Sequence, residues 1–151
     1  MRGNTVTAGY WRRPEESARV LAGGWLRTGD IGALDSQGRL RVFDRRADLV
    51  VSGGENVYPA QVEAALFEHP DVADVGVAGA RDETYGHRPV AWVVPRGKRP
   101  LDAEGLARFC RDRLAGYAVP VRFHCVASLP RTASGKLQRH RLVEPSEESW
   151  N

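Results

Sequence analysis

The strongest constraint on the fold is the order of apolar segments after about residue 48. The segments "VADVGVAGA" and "RPVAWVVP" are rich in valine and predict strands, because β-branched side chains favour extended backbone. The full order is strand, helix, strand, strand, helix, strand. This order predicts a small α+β domain in which helices flank a short β-sheet.

Both helices of this domain have start and stop signals. Pro59 opens the first helix, and Pro70 ends it. Asp102 can cap the second helix, and Gly116 can end it. The second helix is amphipathic, with an apolar stripe of Leu106, Phe109, Cys110 and Leu114.

The preceding segment predicts simpler elements. Pro14 can start a short helix, and "IGALDSQGRLRVFD" has two strand-like arms around residues 35–38, which predicts a β-hairpin. A charged segment, residues 44–48, separates this hairpin from the α+β domain.

Composition narrows the class of protein. The chain has 151 residues and a net charge of +3, which suits one small domain with part of another. The charges are interspersed, so we predict no nucleic-acid partner, and no apolar stretch is long enough to span a membrane. Cys110 and Cys125 are interpreted as reduced, buried residues of a cytoplasmic protein, and the histidines lack metal-ligand spacing.

One lysine stands out in "LPRTASGKLQ", residues 129–138. The chain has 22 basic residues, of which only Lys98 and Lys136 are lysines. Lysine offers a compact charge with three rotatable donors, unlike the rigid fork of arginine. The segment is not a Walker motif, because Leu137 occupies the Ser/Thr position. Residues 131–136 lack apolar periodicity, so Lys136 is either a catalytic cation or an ordinary lysine of a mobile surface loop.

Two glycine-containing segments have similar alternatives. "SGGEN" at residues 52–56 can be an ordinary turn, or a loop whose bare backbone approaches a ligand. "RTGD" at residues 27–30 can be a plain turn, or can supply a carboxylate that accepts hydrogen bonds from sugar hydroxyls.

Three segments together resemble motifs of the adenylate-forming (AMP-binding) enzyme superfamily: "GWLRTGDIG", "GRLRVFDRRADLVVSGGENVYPAQVE" and "LPRTASGKLQR". They occur in the same order as the motifs of that superfamily, and the distances between them are similar. The sequence of the second segment is most similar to that of acyl-CoA ligases of the o-succinylbenzoate–CoA ligase type. The resemblance implies two half-reactions. A carboxylate attacks the α-phosphate of ATP to give an acyl-adenylate, and coenzyme A then displaces AMP while the small C-terminal domain rotates.

The resemblance also implies roles for individual residues in the first half-reaction. Lys136 matches the lysine that bridges the carboxylate and the α-phosphate. Asp30 matches the aspartate that holds the ribose hydroxyls of ATP, and Arg45 matches an arginine that contacts the nucleotide.

For the second half-reaction, Gly53 and Gly54 match the loop that lines the pantetheine channel. Ala47 matches the hinge position, where many relatives carry Asp or Lys. Alanine at this position leaves the rotation possible but offers no polar or charged side chain to hold one orientation of the domain.

The implied domain layout has four parts. Residues 1–43 are the tail of the large adenylation domain, 44–47 the hinge, 48–143 the C-terminal domain of an AMP-binding enzyme and 144–151 a tail. ATP or AMP and coenzyme A are the implied substrates beside a carboxylic acid, and Mg²⁺ is implied with ligands outside this chain.

The family's phosphate loop, acyl pocket and magnesium-organising acid are absent from the sequence. We therefore expect a C-terminal fragment of an acid–thiol ligase that is inactive without the large N-terminal domain. Two alternatives remain: a truncated, non-catalytic module that binds a nucleotide, CoA or a partner, and part of a peptide-synthetase adenylation domain. The lack of a carrier-protein motif after residue 144 disfavours the latter.

Overall fold

The computed structural model describes residues 1–97 and 101–142. The chain divides into two compact units, Met1–Ala47 and a second unit that begins at Asp48. Lys98 and the predicted tail, residues 144–151, lie outside the described residues.

The first unit contains one short helix and two antiparallel strand pairs. Helix α1 is Pro14–Val20 and begins at Pro14, as predicted. Strands β1 (Leu21–Ala22) and β2 (Trp25–Leu26) form a pair that the sequence did not predict. Strands β3 (Asp30–Leu34) and β4 (Leu40–Arg45) form the predicted hairpin.

A carboxylate organises the β3–β4 turn. Asp35 Oδ1 accepts hydrogen bonds from the backbone N–H groups of Gln37 and Arg39, each at 2.9 Å, and its Oδ2 accepts one from Arg39 Nε at 2.8 Å. The bonds from the Arg39 backbone and side chain lower the pKa of Asp35. The strands leave three apolar side chains more than half exposed: Leu34, Leu40 and Val42.

The second unit has a five-stranded sheet of β5 (Val50–Ser52), β6 (Glu55–Val57), β7 (Val72–Asp82), β8 (Gly86–Pro95) and β9 (Arg122–Cys125). The long β7–β8 hairpin forms its centre and is antiparallel. Strand β9 pairs with β8 in parallel, and β5 meets the start of β8.

Both faces of β8 are buried, and alternate residues enter different apolar clusters. Ala91 and Val93 join a cluster with Leu66 of α2 (Pro59–Phe67) and Leu106 of α3 (Ala103–Arg111). Val90 and Trp92 join a second cluster, which is completed by Leu129, Leu137 and Leu142. Because neighbouring strand residues point to opposite faces, the sheet carries helices on one face and the segment after β9 on the other.

The predicted α+β class is confirmed, with local corrections. The Asp102 cap is present, since its Oδ1 accepts the N–H of Glu104 at 3.0 Å, but α3 ends at Arg111 rather than near Gly116. Strand β6 was not predicted, because three residues are too few to show periodicity. Cys110 is buried as expected, whereas Cys125 is exposed.

Candidate active site

Lys136 lies in a tight β-hairpin, whereas the sequence suggested a loop without regular structure. Arg131 and Leu137 form an antiparallel bridge, and the Thr132 N–H donates to the Lys136 carbonyl at 2.8 Å. Gly135 closes the turn by donating to the Thr132 carbonyl at 2.9 Å, and has a φ of 83°, a left-handed conformation that suits glycine. The Lys136 N–H donates to Thr132 Oγ1 at 3.1 Å.

The residue after Lys136 anchors this hairpin to the sheet. Leu137 packs in the second apolar cluster and lies over Gly76, where an added Cβ atom would be 3.1 Å from a Leu137 methyl carbon. The glycine in β7 therefore makes room for Leu137. Lys136 itself is exposed, and its ammonium has no hydrogen-bond or ion-pair partner within residues 1–97 and 101–142.

The glycine pair forms the turn of the β5–β6 hairpin. Ser52 and Glu55 are paired, and the two residues between them, Gly53 and Gly54, have φ angles of 58° and 88°. Two consecutive left-handed residues are typical of a type I′ turn, which matches the twist of the flanking strands. This requirement explains the glycine pair without any ligand, so a ligand role needs separate support.

The surroundings of Gly53 add a second structural constraint, and a cavity lies beside it. Its N–H donates to the Tyr85 carbonyl at 3.0 Å, and an added Cβ atom would lie 2.8 Å from Tyr85 Cδ1. The Arg88 guanidinium lies 5.0 Å from the centre of the Tyr85 ring. These residues and Tyr117 line an open cavity of about 300 Å³.

Tyr85 and Tyr117 are candidate site residues that the sequence analysis missed. Both stand in short connecting segments: Tyr85 between β7 and β8, and Tyr117 in the 3₁₀ helix Gly116–Ala118. In the sequence, the available signal is that each tyrosine stands next to a glycine, Gly86 or Gly116. In the structure, both tyrosine side chains are about half exposed.

In the first unit, the structure brings Asp30 and Arg45 together. They are directly opposite each other in the β3–β4 ladder, and Arg45 Nε lies 3.2 Å from Asp30 Oδ1. The Asp30 N–H donates to Thr28 Oγ1 at 3.2 Å, and the Gly29 carbonyl accepts the N–H of Arg46 at 2.8 Å. The turn that carries the carboxylate is thus held in place, while both charged groups stay accessible to solvent.

Ala47 is the last residue of the first unit and lies in the 3₁₀ turn Arg46–Asp48. Its side chain is exposed.

The two candidate segments of the second unit lie at opposite ends of β7. The Lys136 hairpin is attached at Asp74, near the start of the strand, through an ion pair with Arg131. The glycine turn contacts Tyr85, which follows the end of the strand at Asp82. Asp74 and Asp82 are eight residues apart, which corresponds to about 26 Å of extended chain. The unit therefore presents the lysine and the glycine turn at two separated ends.

Metal ligands and membrane-spanning helices were sought among the described residues. Residues 1–97 and 101–142 contain no group of three or more His, Cys, Asp or Glu side chains that could hold a metal on its own. Among the described residues, no helix combines the length and the apolar character needed to cross a membrane.

The sequence family described as the AMP-binding enzyme C-terminal domain matches residues 61–136. The chain belongs to this family. The matched range ends at Lys136, and Asp30, Arg45, Ala47 and the glycine pair lie before it.

Curated relatives extend the similarity over nearly the whole chain. The 2-succinylbenzoate–CoA ligase of Geobacillus kaustophilus is 52% identical over 99% of this chain and 31% of the relative. That of Bacillus licheniformis is 50% identical over 94% of this chain and 29% of the relative. The chain thus spans about 30% of the length of the curated relatives it matches.

Solved structures also match nearly the whole chain, both in fold and in sequence. The o-succinylbenzoate CoA synthetase of Bacillus subtilis, in complex with an acyl-adenylate intermediate, matches with a TM-score of 0.90 and 44% identity, over 96% of this chain and 30% of the other. An amide bond synthetase from Marinactinospora thermotolerans matches with a TM-score of 0.82 and 42% identity, over 92% and 28%. The predicted membership of the adenylate-forming enzymes is confirmed, whereas the roles of the individual residues stay predictions.

Proposed function

We propose that this chain is the C-terminal part of an ATP-dependent acid–thiol ligase, an acyl-CoA synthetase of the cytoplasm. In the first half-reaction a carboxylate oxygen attacks the α-phosphorus of ATP, and the bond to pyrophosphate breaks. In the second, the thiol sulfur of coenzyme A attacks the acyl carbonyl carbon, and the bond to AMP breaks. The remaining part, which in the relatives accounts for about 70% of the length, supplies the acyl pocket and the phosphate loop.

The observation that carries the proposal is the separation of the two candidate segments along β7. The two ends of β7 are about 26 Å apart, so one reacting carbonyl group cannot contact both at the same time. A two-step reaction resolves this, because the unit can present the lysine in one step and the glycine turn in the other. The exposed hinge residue Ala47 lies where the first unit ends, which suits such a rotation.

The first half-reaction needs positive charge, because an anionic carboxylate approaches an anionic phosphate. Lys136 suits this role, since its exposed ammonium has no competing partner in the described parts of the chain. A preorganised cation stabilises the charge that builds on the phosphoryl oxygens in the transition state. Asp30 suits the ribose hydroxyls as an acceptor, and Arg45, 3.2 Å away, orients this carboxylate and can contact the nucleotide.

The second half-reaction needs access for a long, thin thiol. The Gly53–Gly54 turn presents backbone without side chains, and a Cβ atom at Gly54 would meet no atom within 4 Å. Tyr85 and Tyr117 add apolar ring surface to the adjacent cavity. A cavity whose lining combines bare backbone with aromatic ring surface suits the pantetheine arm of coenzyme A.

The acid that we propose is 2-succinylbenzoate, because the curated relatives at 45–52% identity carry that name. A second candidate reaction has the same first half but an amine as the acceptor. The likeness to an amide bond synthetase, at a TM-score of 0.82, favours it as the alternative. The two reactions differ only in the second half, so supplying coenzyme A and amines separately distinguishes them.

A chimera tests the proposal. This chain replaces the matching C-terminal 31% of the Geobacillus kaustophilus ligase, to which it is 52% identical. We expect the chimera to catalyse ATP–pyrophosphate exchange that depends on 2-succinylbenzoate, and to form the CoA thioester. The truncated large domain and this chain alone, as controls, should do neither. A chimera that is monodisperse and melts cooperatively, but gives no exchange above the truncated large domain, would overturn the proposal.

A further inference from the structure

Strand β7 has an irregularity where the Lys136 hairpin is attached. The pairing of β7 with β8 shifts register between Val72 and Asp74. Such bulges re-aim side chains. The Asp74 carboxylate is also held locally, since its Oδ1 accepts the N–H of Val75 at 2.9 Å. A fixed carboxylate therefore stands at this end of the sheet.

Arg131 connects this carboxylate to the peptide next to Lys136. Its Nη2 lies 2.7 Å from Asp74 Oδ1 and 2.8 Å from Oδ2, and its Nε lies 3.2 Å from Oδ2. Its Nη1 donates to the Gly135 carbonyl at 2.8 Å. All three guanidinium nitrogens are thus used, and the Gly135 carbonyl belongs to the peptide group whose nitrogen is that of Lys136.

We propose that Arg131 is a positioning residue, which sets where the Lys136 ammonium can reach. Lysine has a long, flexible side chain, so its reach depends on where its backbone is held. Leu137 anchors the hairpin after Lys136, and the Arg131–Asp74 pair anchors it before. Between them the residues of the turn, 132–135, are exposed.

The role requires an arginine. A lysine at position 131 would keep the charge, but a single ammonium does not reproduce a bidentate contact with Asp74 together with the bond to the Gly135 carbonyl. The catalytic position needs a point charge and the anchoring position needs a planar fork. This inference rests on the proposed function, because it assigns Arg131 to the adenylation step.

The chimera described above provides the test, with the half-reactions timed separately. In Arg131→Gln we expect adenylation to slow by about 10- to 100-fold, the scale of a misplacement of about 1 Å. Thioester formation from supplied acyl-adenylate should change by less than about threefold. Arg131→Lys should recover only part of the adenylation rate. Asp74→Asn should slow adenylation in the same direction, and the double variant should lose little more than Arg131→Gln alone.

Arg108→Gln is the matched control. Arg108 is also an exposed arginine paired with an aspartate, Asp102, at 3.3 Å, but it lies on α3. This variant should leave both half-reactions unchanged and should change the free energy of unfolding by less than about 1 kcal/mol. If Arg131→Gln slows both half-reactions equally, or slows neither, the inference is wrong.

A second measurement does not depend on activity. In the isolated chain, amide exchange at Gly135 and Lys136 should become faster in Arg131→Gln and stay unchanged in Arg108→Gln, with no change for the core valines of β7. An inactive parent chimera would count against the proposed function alone. The amide exchange of the isolated chain would still decide whether Arg131 orders the hairpin. Unchanged exchange at both amides would overturn the inference.

Discussion

Replacing Arg139 by glutamine is expected to destabilise the second unit by about 2–3 kcal/mol. Arg139 Nη2 lies 2.6 Å from Glu63 Oε2, its Nε lies 3.2 Å from Glu63 Oε1, and its Nη1 lies 3.0 Å from Asp48 Oδ2. One side chain thus joins the start of the unit, helix α2 and the segment after the Lys136 hairpin.

The magnitude follows from the burial of this network. The side chains of Arg139 and Glu63 are 18% and 17% exposed, and that of Asp48 is 28% exposed in its pair. Exposed ion pairs contribute about 0–1 kcal/mol, whereas breaking a buried pair costs about 3–5 kcal/mol. The network lies between these limits. Glu63→Gln should cost less, about 1–2 kcal/mol, because an amide oxygen can still accept the N–H of Val77, which Glu63 Oε1 accepts at 2.9 Å.

Amide exchange of the core valines in β7 and β8, followed with increasing urea, measures the stability of this unit separately from that of the first. Arg108→Gln serves as the exposed-pair control and should change stability by less than about 1 kcal/mol. The double variant of Arg139 and Glu63 should be less destabilised than the sum of the single variants. If Arg139→Gln stays within about 0.5 kcal/mol of the parent, the burial argument fails.

Three further predictions concern single side chains. In the chimera, Lys136→Ala should slow adenylation by about 10²–10³-fold without lowering the melting temperature. Lys136→Arg should recover little of the lost adenylation rate. Adenylation near the parental rate in Lys136→Ala would show that Lys136 is an ordinary surface lysine. Gly54→Leu should slow thioester formation more than adenylation. Gly38→Leu, at an equally open turn with a φ of 75°, is the control for backbone strain. Equal slowing of both half-reactions by Gly54→Leu would contradict the channel role. Burial raises the pKa of Cys110 to about 11, so at pH 8 this thiol stays protonated and shielded, and iodoacetamide should label only the exposed Cys125. Mass spectrometry should show one label in the folded chain and two in denaturant, and a second label in the folded chain would refute this.

Local sequence signals were sufficient for the main elements. The starts of the helices at Pro14 and Pro59 and the Asp102 cap were predicted correctly, because they depend on residues within one turn of helix. The β3–β4 hairpin was also predicted, since Asp35 and the turn glycine lie between its two arms. Family membership followed from three motifs in order.

The tertiary structure alone decided how the candidate site is supported. Arg131 meets Asp74 across 57 residues of sequence, and Arg139 meets Glu63 across 76. The placement of Tyr85 over Gly53 likewise depends on β5 meeting the start of β8.

Periodicity reports which face of an element is apolar, but it carries no information about which distant strand lies alongside. The sequence therefore identified Lys136 and the glycine pair as candidates, while only the sheet register determined which side chains hold them in place. The same limit applies to β9, whose four residues predict a strand but not its parallel pairing with β8.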